Sequence, residues 1–131
     1  MARILVVEDN VISMKLAKSL LEAEGHEVLA AADAKKGLEL IQVSPPDLIL
    51  MDMGLPGMNG LELTRKLRED ARTRHILIVA LTASVMKGDE DKFVIGGCDG
   101  YIPKPIDTRK FPSQIMGFLG ASEKGKGEAS R

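Results

Sequence analysis

Five polar residues stand at or just past the ends of apolar runs in this chain. Glu8 and Asp9 follow Ile4-Leu5-Val6-Val7, Asp52 follows Leu48-Ile49-Leu50-Met51, Thr82 follows the run from Ile76 to Leu81, and Lys104 comes shortly after Tyr101-Ile102. If the runs are strands of one sheet, three carboxylates, a hydroxyl and an ammonium converge on one edge. Clustered carboxylates repel one another and raise each other's pKa unless a cation intervenes. A donor set made only of oxygen suits Mg²⁺, which keeps several waters, uses one or two protein carboxylates and accepts phosphate as a further ligand. An aspartate can itself be the nucleophile toward phosphorus, forming an acyl phosphate. Charge developing on a transferring phosphoryl group needs donors, a part that Thr82 and Lys104 could fill. The chemistry these residue types could perform together is Mg²⁺-dependent phosphoryl transfer onto Asp52.

That chemistry depends on how the chain positions the runs. Leu48 to Met51 shows no polar alternation, which predicts a short strand buried on both faces. Gly54, Pro56, Gly57 and Gly60 predict a loop after it. Asp52 thus falls at the carboxyl end of an interior strand, where a charge is costly unless something compensates it. The runs at 4–7, 28–31 and 76–81 and a shorter one around Tyr101-Ile102 predict four more strands. Helical spacing fills the intervals. Leu16, Ala17, Leu20 and Leu21 share a face closed by Gly25 as a C-cap. Ala34, Leu38 and Ile41 repeat the pattern between an Asp33 N-cap and a Ser44-Pro45-Pro46 stop. Leu63 and Leu67 mark a third helix starting near Gly60. A fourth is expected over roughly 84–95, with Met86 and Phe93 inward and Gly88 inside it. Phe111, Ile115, Phe118 and Leu119 mark the last. Strict strand–helix alternation predicts right-handed crossovers and a parallel α/β sheet covered on both faces. Ligands of such sheets sit outside the carboxyl ends of the strands. From Gly120 onward, "GASEKGKGEASR" has no apolar residue beyond alanine. It predicts a flexible tail or linker over 120–131 and a single domain over 1–119.

The totals exclude several classes. At 131 residues the chain can bury a proper core as one domain. Lys and Arg number 18 against 19 Asp and Glu, which argues against a nucleic-acid binder relying on a basic surface. One cysteine, Cys98, allows no internal disulfide and no zinc-ligand spacing. No apolar run approaches membrane-spanning length and the amino terminus has no signal-peptide pattern, so a cytoplasmic protein without a membrane partner is expected. Met1 lies two residues before the first strand, from which nothing is expected to precede the domain.

The stretches "ILVVEDN", "DLILMDMGLPGMNG", "ALTA" and "YIPKP" fall in that order along the chain. They resemble the motifs of the response-regulator receiver domain of two-component signalling, over residues 3 to about 119. The resemblance implies a (βα)₅ doubly wound, flavodoxin-like sheet with strand order 2-1-3-4-5. It implies Asp52 as phosphoacceptor and Glu8 and Asp9 as the acidic pair positioning Mg²⁺, with the backbone carbonyl of Gly54 completing the protein ligands. Thr82 and Lys104 would bind the phosphoryl oxygens, the Lys104–Pro105 bond would be cis, and Tyr101 would be the switch aromatic that reports movement of Thr82. The partners implied are a histidine kinase or histidine phosphotransfer protein and a downstream protein target, met through the predicted fourth helix, the fifth strand and the last helix. "ALTASVMKGDEDKF" and "GGCDGYIPKPI" are more similar to single-domain cell-cycle regulators and hybrid-kinase receivers than to DNA-binding regulators. A monomer or weak dimer, no nucleic acid and no enzymatic action on an external metabolite are expected. Pro112, early in the last helix, and Pro103, just before Lys104, depart from the family pattern.

Each residue alone has a plainer reading. A strand-end Asp is usually a turn or N-cap residue, Thr82 could cap the following helix, Lys104 could be solvated and Tyr101 could simply fill space. Cys98 reads as a small buried hydrophobe, and His26 and His75 take no role. Met51 belongs to the core, while Met14 and Met86 are candidates for a partner surface. Three rival functions fit the residues less well. A nucleotide-binding enzyme on this sheet would need glycines after the first strand, and "VVEDNVISM" has none. A metal-dependent aspartyl phosphatase would want an acid two residues past Asp52, where Gly54 stands. A receiver-like scaffold that binds constitutively would not need the complete set of acids, Asp52, Thr82 and Lys104.

Overall fold

The computed structural model describes residues 2–54, 60–83 and 96–129, with side chains described to residue 120. Its elements are β1 (Arg3–Val7), α1 (Val11–Ala23), β2 (Glu27–Ala31), α2 (Ala34–Val43), β3 (Leu48–Asp52), α3 (Gly60–Glu69), β4 (Leu77–Thr82), β5 (Gly100–Pro103) and a last helix, here α4 (Phe111–Ala129). The five strands form one parallel sheet in the order β2-β1-β3-β4-β5, as a doubly wound α/β fold requires. The helix expected over 84–95, with Met86, Gly88 and Phe93, lies outside the described residues.

The register explains why the central runs are apolar throughout. Leu5, Val7, Ile49, Met51, Ile78 and Ala80 point to one face and meet Ala34 and Ile41 of α2 and Leu63 and Leu67 of α3. Ile4, Val6, Leu48, Leu50, Val79 and Leu81 point to the other and meet Ala17 and Leu21 of α1 and Phe111 and Ile115 of α4. Both faces of β3 are therefore buried, and each large side chain there contributes about 1.5–3 kcal/mol relative to exposure.

Local signals set the helix limits. Asn10 Oδ1 accepts the Ser13 N–H at 2.9 Å, and Asp33 Oδ1 accepts the Lys36 N–H at 2.8 Å, each satisfying a free amide at a helix start. Gly25 follows the Glu24 cap of α1 at φ +87°, a conformation a side chain disfavours. Pro112 occupies the first turn of α4, where an N–H has no intrahelical acceptor, so it opens that helix and does not break it. Pro103 ends the edge strand β5, where a missing donor is tolerated. Helix α4 continues past Leu119 to Ala129, through the segment expected to serve as a tail or linker. Lack of apolar residues removes a reason to pack, but Ala, Glu and Lys remain good helix formers.

Candidate functional site

The strand register brings the strand-end residues together. β1 delivers Glu8 and Asp9 beside β3, which ends at Asp52, and β4 ends one residue further along at Thr82. The chain after β5 returns to this edge: the Lys104 N–H donates to the Thr82 carbonyl at 2.8 Å, and the Lys104–Pro105 bond is cis. Glu8 and Asp52 are 1% and 4% exposed, Thr82 is buried, and Asp9 is open to solvent. One carboxylate oxygen from each of Glu8, Asp9 and Asp52 lies within 4.8 Å of the other two.

Lys104 supplies the counter-charge. Its Nζ is 2.5 Å from Glu8 Oε1 and 3.4 Å from Asp52 Oδ1. The Glu8 Oε1 atom is buried, so its partner in this cluster is that ammonium. Asp52 Oδ1 also accepts the Gly54 N–H at 2.9 Å, and Glu8 Oε2 accepts the Asn10 N–H at 3.4 Å. Burial first, and then the hydrogen bond with Asp52, push the Glu8 carboxyl from 4.5 up to about 7 against the pull of Lys104. Burial would raise Asp52 too. Its hydrogen bonds with Glu8 and the Gly54 amide, together with the Lys104 charge, outweigh that and hold it below the ordinary aspartate range. Burial disfavours the Lys104 ammonium, but Glu8 and Asp52 overcome the penalty and hold its pKa above the usual lysine value.

These carboxylates fit a divalent cation, and Mg²⁺ in particular. The donors are all oxygen, they lie close enough to share one ion, and two of the three carboxyls are buried beside each other. Bound there, Mg²⁺ would supply charge neutralisation for the acids and for an incoming phosphoryl group.

Tyr101 stands on β5 opposite Ala80, half-buried against the core on the α2–α3 side. Two features of this region escaped sequence reasoning. One is the Gly54 amide, which holds Asp52; only its carbonyl was anticipated. The other is Arg68 at the far end of α3, which donates to the carbonyls of Gly97, Arg74 and Ile76 at 2.6–2.8 Å and pairs with Asp99 at 2.7 Å. An arginine on a helix surface carries no local signal for such partners.

Comparison with known proteins gives this geometry a name. The response regulator receiver domain family matches residues 4–116. The chain belongs to that family. The receiver is 44% identical over 117 residues to the polar-differentiation response regulator DivK of Brucella ovis, covering 89% of this chain and 95% of the relative. A CheY-like receiver domain protein from Methanospirillum hungatei superposes with a TM-score of 0.85 at 32% identity, covering 95% of this chain and 98% of that one. The signal receiver domain of a histidine kinase from Syntrophus aciditrophicus gives 0.83 at 26% identity, with 92% of each chain covered. The receiver therefore has phosphoacceptor function, with an acidic cluster poised for Mg²⁺ and phospho-aspartate chemistry. It promotes its own phosphorylation and dephosphorylation and is not a general enzyme. Membership implies a histidine-kinase or phosphotransfer-protein donor and a downstream effector. No helix among the described residues is long and apolar enough to cross a membrane.

Proposed function

We propose that Asp52 accepts the phosphoryl group and that the receiver passes the signal on by protein–protein contact. The observation that carries this reading is the hold on Asp52: its Oδ1 faces both the Gly54 N–H and Lys104 Nζ, next to the Glu8 and Asp9 oxygens. In the transfer, an Asp52 carboxylate oxygen forms the new P–O bond as the bond to the donor's leaving group breaks, and the electron pair departs with that group. Lys104 and the Thr82 hydroxyl bind the phosphoryl oxygens. Glu8, Asp9 and the Gly54 carbonyl, with Asp52, hold the ion. Movement of Thr82 toward the phosphoryl group leaves room for Tyr101, which changes the surface around β5 and α4.

The donor is a histidine kinase or histidine phosphotransfer protein. Val11 and Ile12, the first residues of α1, are 70% and 78% exposed beside the acidic pair, an apolar patch that a docking donor would cover. Residues 1–119 act as the receiver unit and 120–131 as a tail or linker. The unit works as a monomer or weak dimer, without nucleic acid, consistent with 18 basic against 19 acidic residues. The test is intact-mass measurement after incubation with a small phosphodonor and Mg²⁺. One base-labile phosphoryl adduct is expected, and Asp52→Asn should abolish it. Retention of the same adduct by that variant would overturn the assignment.

A further inference from the structure

Gly60, the first residue of α3, lies against the backbone of the phosphoacceptor. A Cβ built on it would stand 2.6 Å from the Asp52 carbonyl oxygen, 2.6 Å from Met53 Cε and 3.0 Å from Met51 Cγ. The Met53 contact is soft, since an unbranched thioether can swing away. The carbonyl contact is not. Asp52 ends β3, which pairs with β1 on one side and β4 on the other and is buried over its whole length. Helix α3 is held just as firmly. Leu63 and Leu67 are locked into the core below, and within the helix the fully buried Thr64 donates its hydroxyl back to the Gly60 carbonyl at 2.7 Å, tightening the first turn. Two rigid elements thus touch where only a hydrogen separates them.

The peptide they squeeze joins Asp52 to Met53, whose own N–H donates to the Leu81 carbonyl at 3.1 Å, and the next peptide delivers the Gly54 N–H to Asp52 Oδ1 at 2.9 Å. Any group pushing on the Asp52 carbonyl tilts that peptide. The tilt reaches the carboxylate through its own backbone and through the Gly54 bond together. We infer that Gly60 is a positioning residue for phosphoryl transfer: its missing side chain lets α3 rest on the Asp52 carbonyl and fix the aim of the carboxylate. This rests on Asp52 being the phosphoacceptor.

The experiment compares wild type with Gly60→Ala, Gly60→Ala combined with Met53→Ala, Thr64→Val and Gly117→Ala. The rate of phosphorylation by acetyl phosphate is measured at saturating Mg²⁺, at a temperature well below every variant's melting midpoint. Displacements approaching an ångström cost on the order of 10²-fold when reacting atoms are misplaced; for Gly60→Ala we expect about tenfold slower transfer in a protein that remains folded. Relieving Met53 should not restore it, because the carbonyl contact persists. Gly117, with nothing near its Cβ position, serves as a helix control with wild-type rate. If Gly60→Ala does not fold, Thr64→Val reads the same coupling without added bulk, by loosening the first turn of α3 where it rests on the Asp52 carbonyl; severalfold slower transfer is expected. A purely structural role would lower the melting temperature and leave the rate of the folded protein unchanged. A Gly60→Ala rate within twofold of wild type, full recovery in the double variant, or a wild-type rate in Thr64→Val would overturn the inference while leaving Asp52 as acceptor. A wild type that takes no phosphoryl group would instead remove the reading beneath it.

Discussion

Glu8 is nearly sealed from solvent, shares a hydrogen bond with Asp52 and has a lysine ammonium as its compensation. Its folded-state pKa of about 7 lies above the ordinary 4.5, so the folded protein holds this proton more tightly than the unfolded chain does. The associated stability is fully present below 4.5 and lost as pH rises through about 7. A cation binding the cluster must displace that proton, so Mg²⁺ affinity should fall as pH drops below 7. Calorimetric titrations in buffers of different ionisation enthalpy, near pH ~6 where metal and proton compete, should register proton release that disappears in Glu8→Gln. Release that is identical in both proteins would place the proton elsewhere. Lys104 gives the complementary prediction. Lys104→Ala leaves two buried acids without their cation, a class of change that costs about 3–5 kcal/mol. Added Mg²⁺ should recover part of that loss, so its stabilising effect should exceed that in wild type by thermal melting; equal shifts would contradict it. The placement of the acids, Thr82 and Lys104 at one sheet edge was legible because uninterrupted apolar runs mark interior strands and so mark their ends. The Gly54 amide and the closeness of Gly60 were not, because backbone contacts leave no trace in residue type.

Helix α3 shows what one side chain can do for the placement of its neighbours. The Arg68 guanidinium binds the end of the α3–β4 loop through the Arg74 and Ile76 carbonyls, the Gly97 carbonyl, and the Asp99 carboxylate. Asp99 Oδ2 also accepts the Ile78 N–H, so the same clamp fixes where β5 begins beside β4. Gly97, at φ +101°, brings its carbonyl within reach only because no Cβ crowds the Arg68 stem. Arg68→Ala strands several carbonyls and a carboxylate at once, and a loss of about 2–4 kcal/mol is expected by chemical denaturation. Lys at this position should recover little, because a single ammonium cannot span a forked set of acceptors. A loss under about 0.5 kcal/mol, the usual size for an inert surface site, would show that the clamp is decorative. Uninterrupted apolar runs marked the strands, the central ones buried on both faces, and helical spacing marked the described helices, each of which buries one face. Neither signal could find this clamp, whose partners Arg68 and Asp99 are 31 residues apart.

At the scale of the whole molecule, one sheet separates two cores, one under α2 and α3 and the other under α1 and α4. Strand order 2-1-3-4-5 follows from the resemblance, and alternation in the sequence by itself gives only a covered parallel sheet. At the end of the chain composition predicts a tail or linker, and the backbone there is helical through Ala129. Composition reports on packing, and packing is what truncation tests. Removal of residues 121–131 should change the free energy of unfolding by no more than about 0.5 kcal/mol, as for surface changes that remove no buried contact. It should leave phosphorylation of Asp52 intact. A larger loss would make that segment part of the folded unit.

Tyr101 has an optical consequence. It is the sole tyrosine in a chain with no tryptophan, and it sits on the edge strand between the Asp99 clamp and Lys104. Tyrosine emission from this protein, unlabelled and excited beyond the absorption band of its 3 phenylalanines, therefore originates at one known address. Intensity that changes on addition of Mg²⁺ or a phosphodonor is a private record of events at β5, free of the averaging that several chromophores would impose.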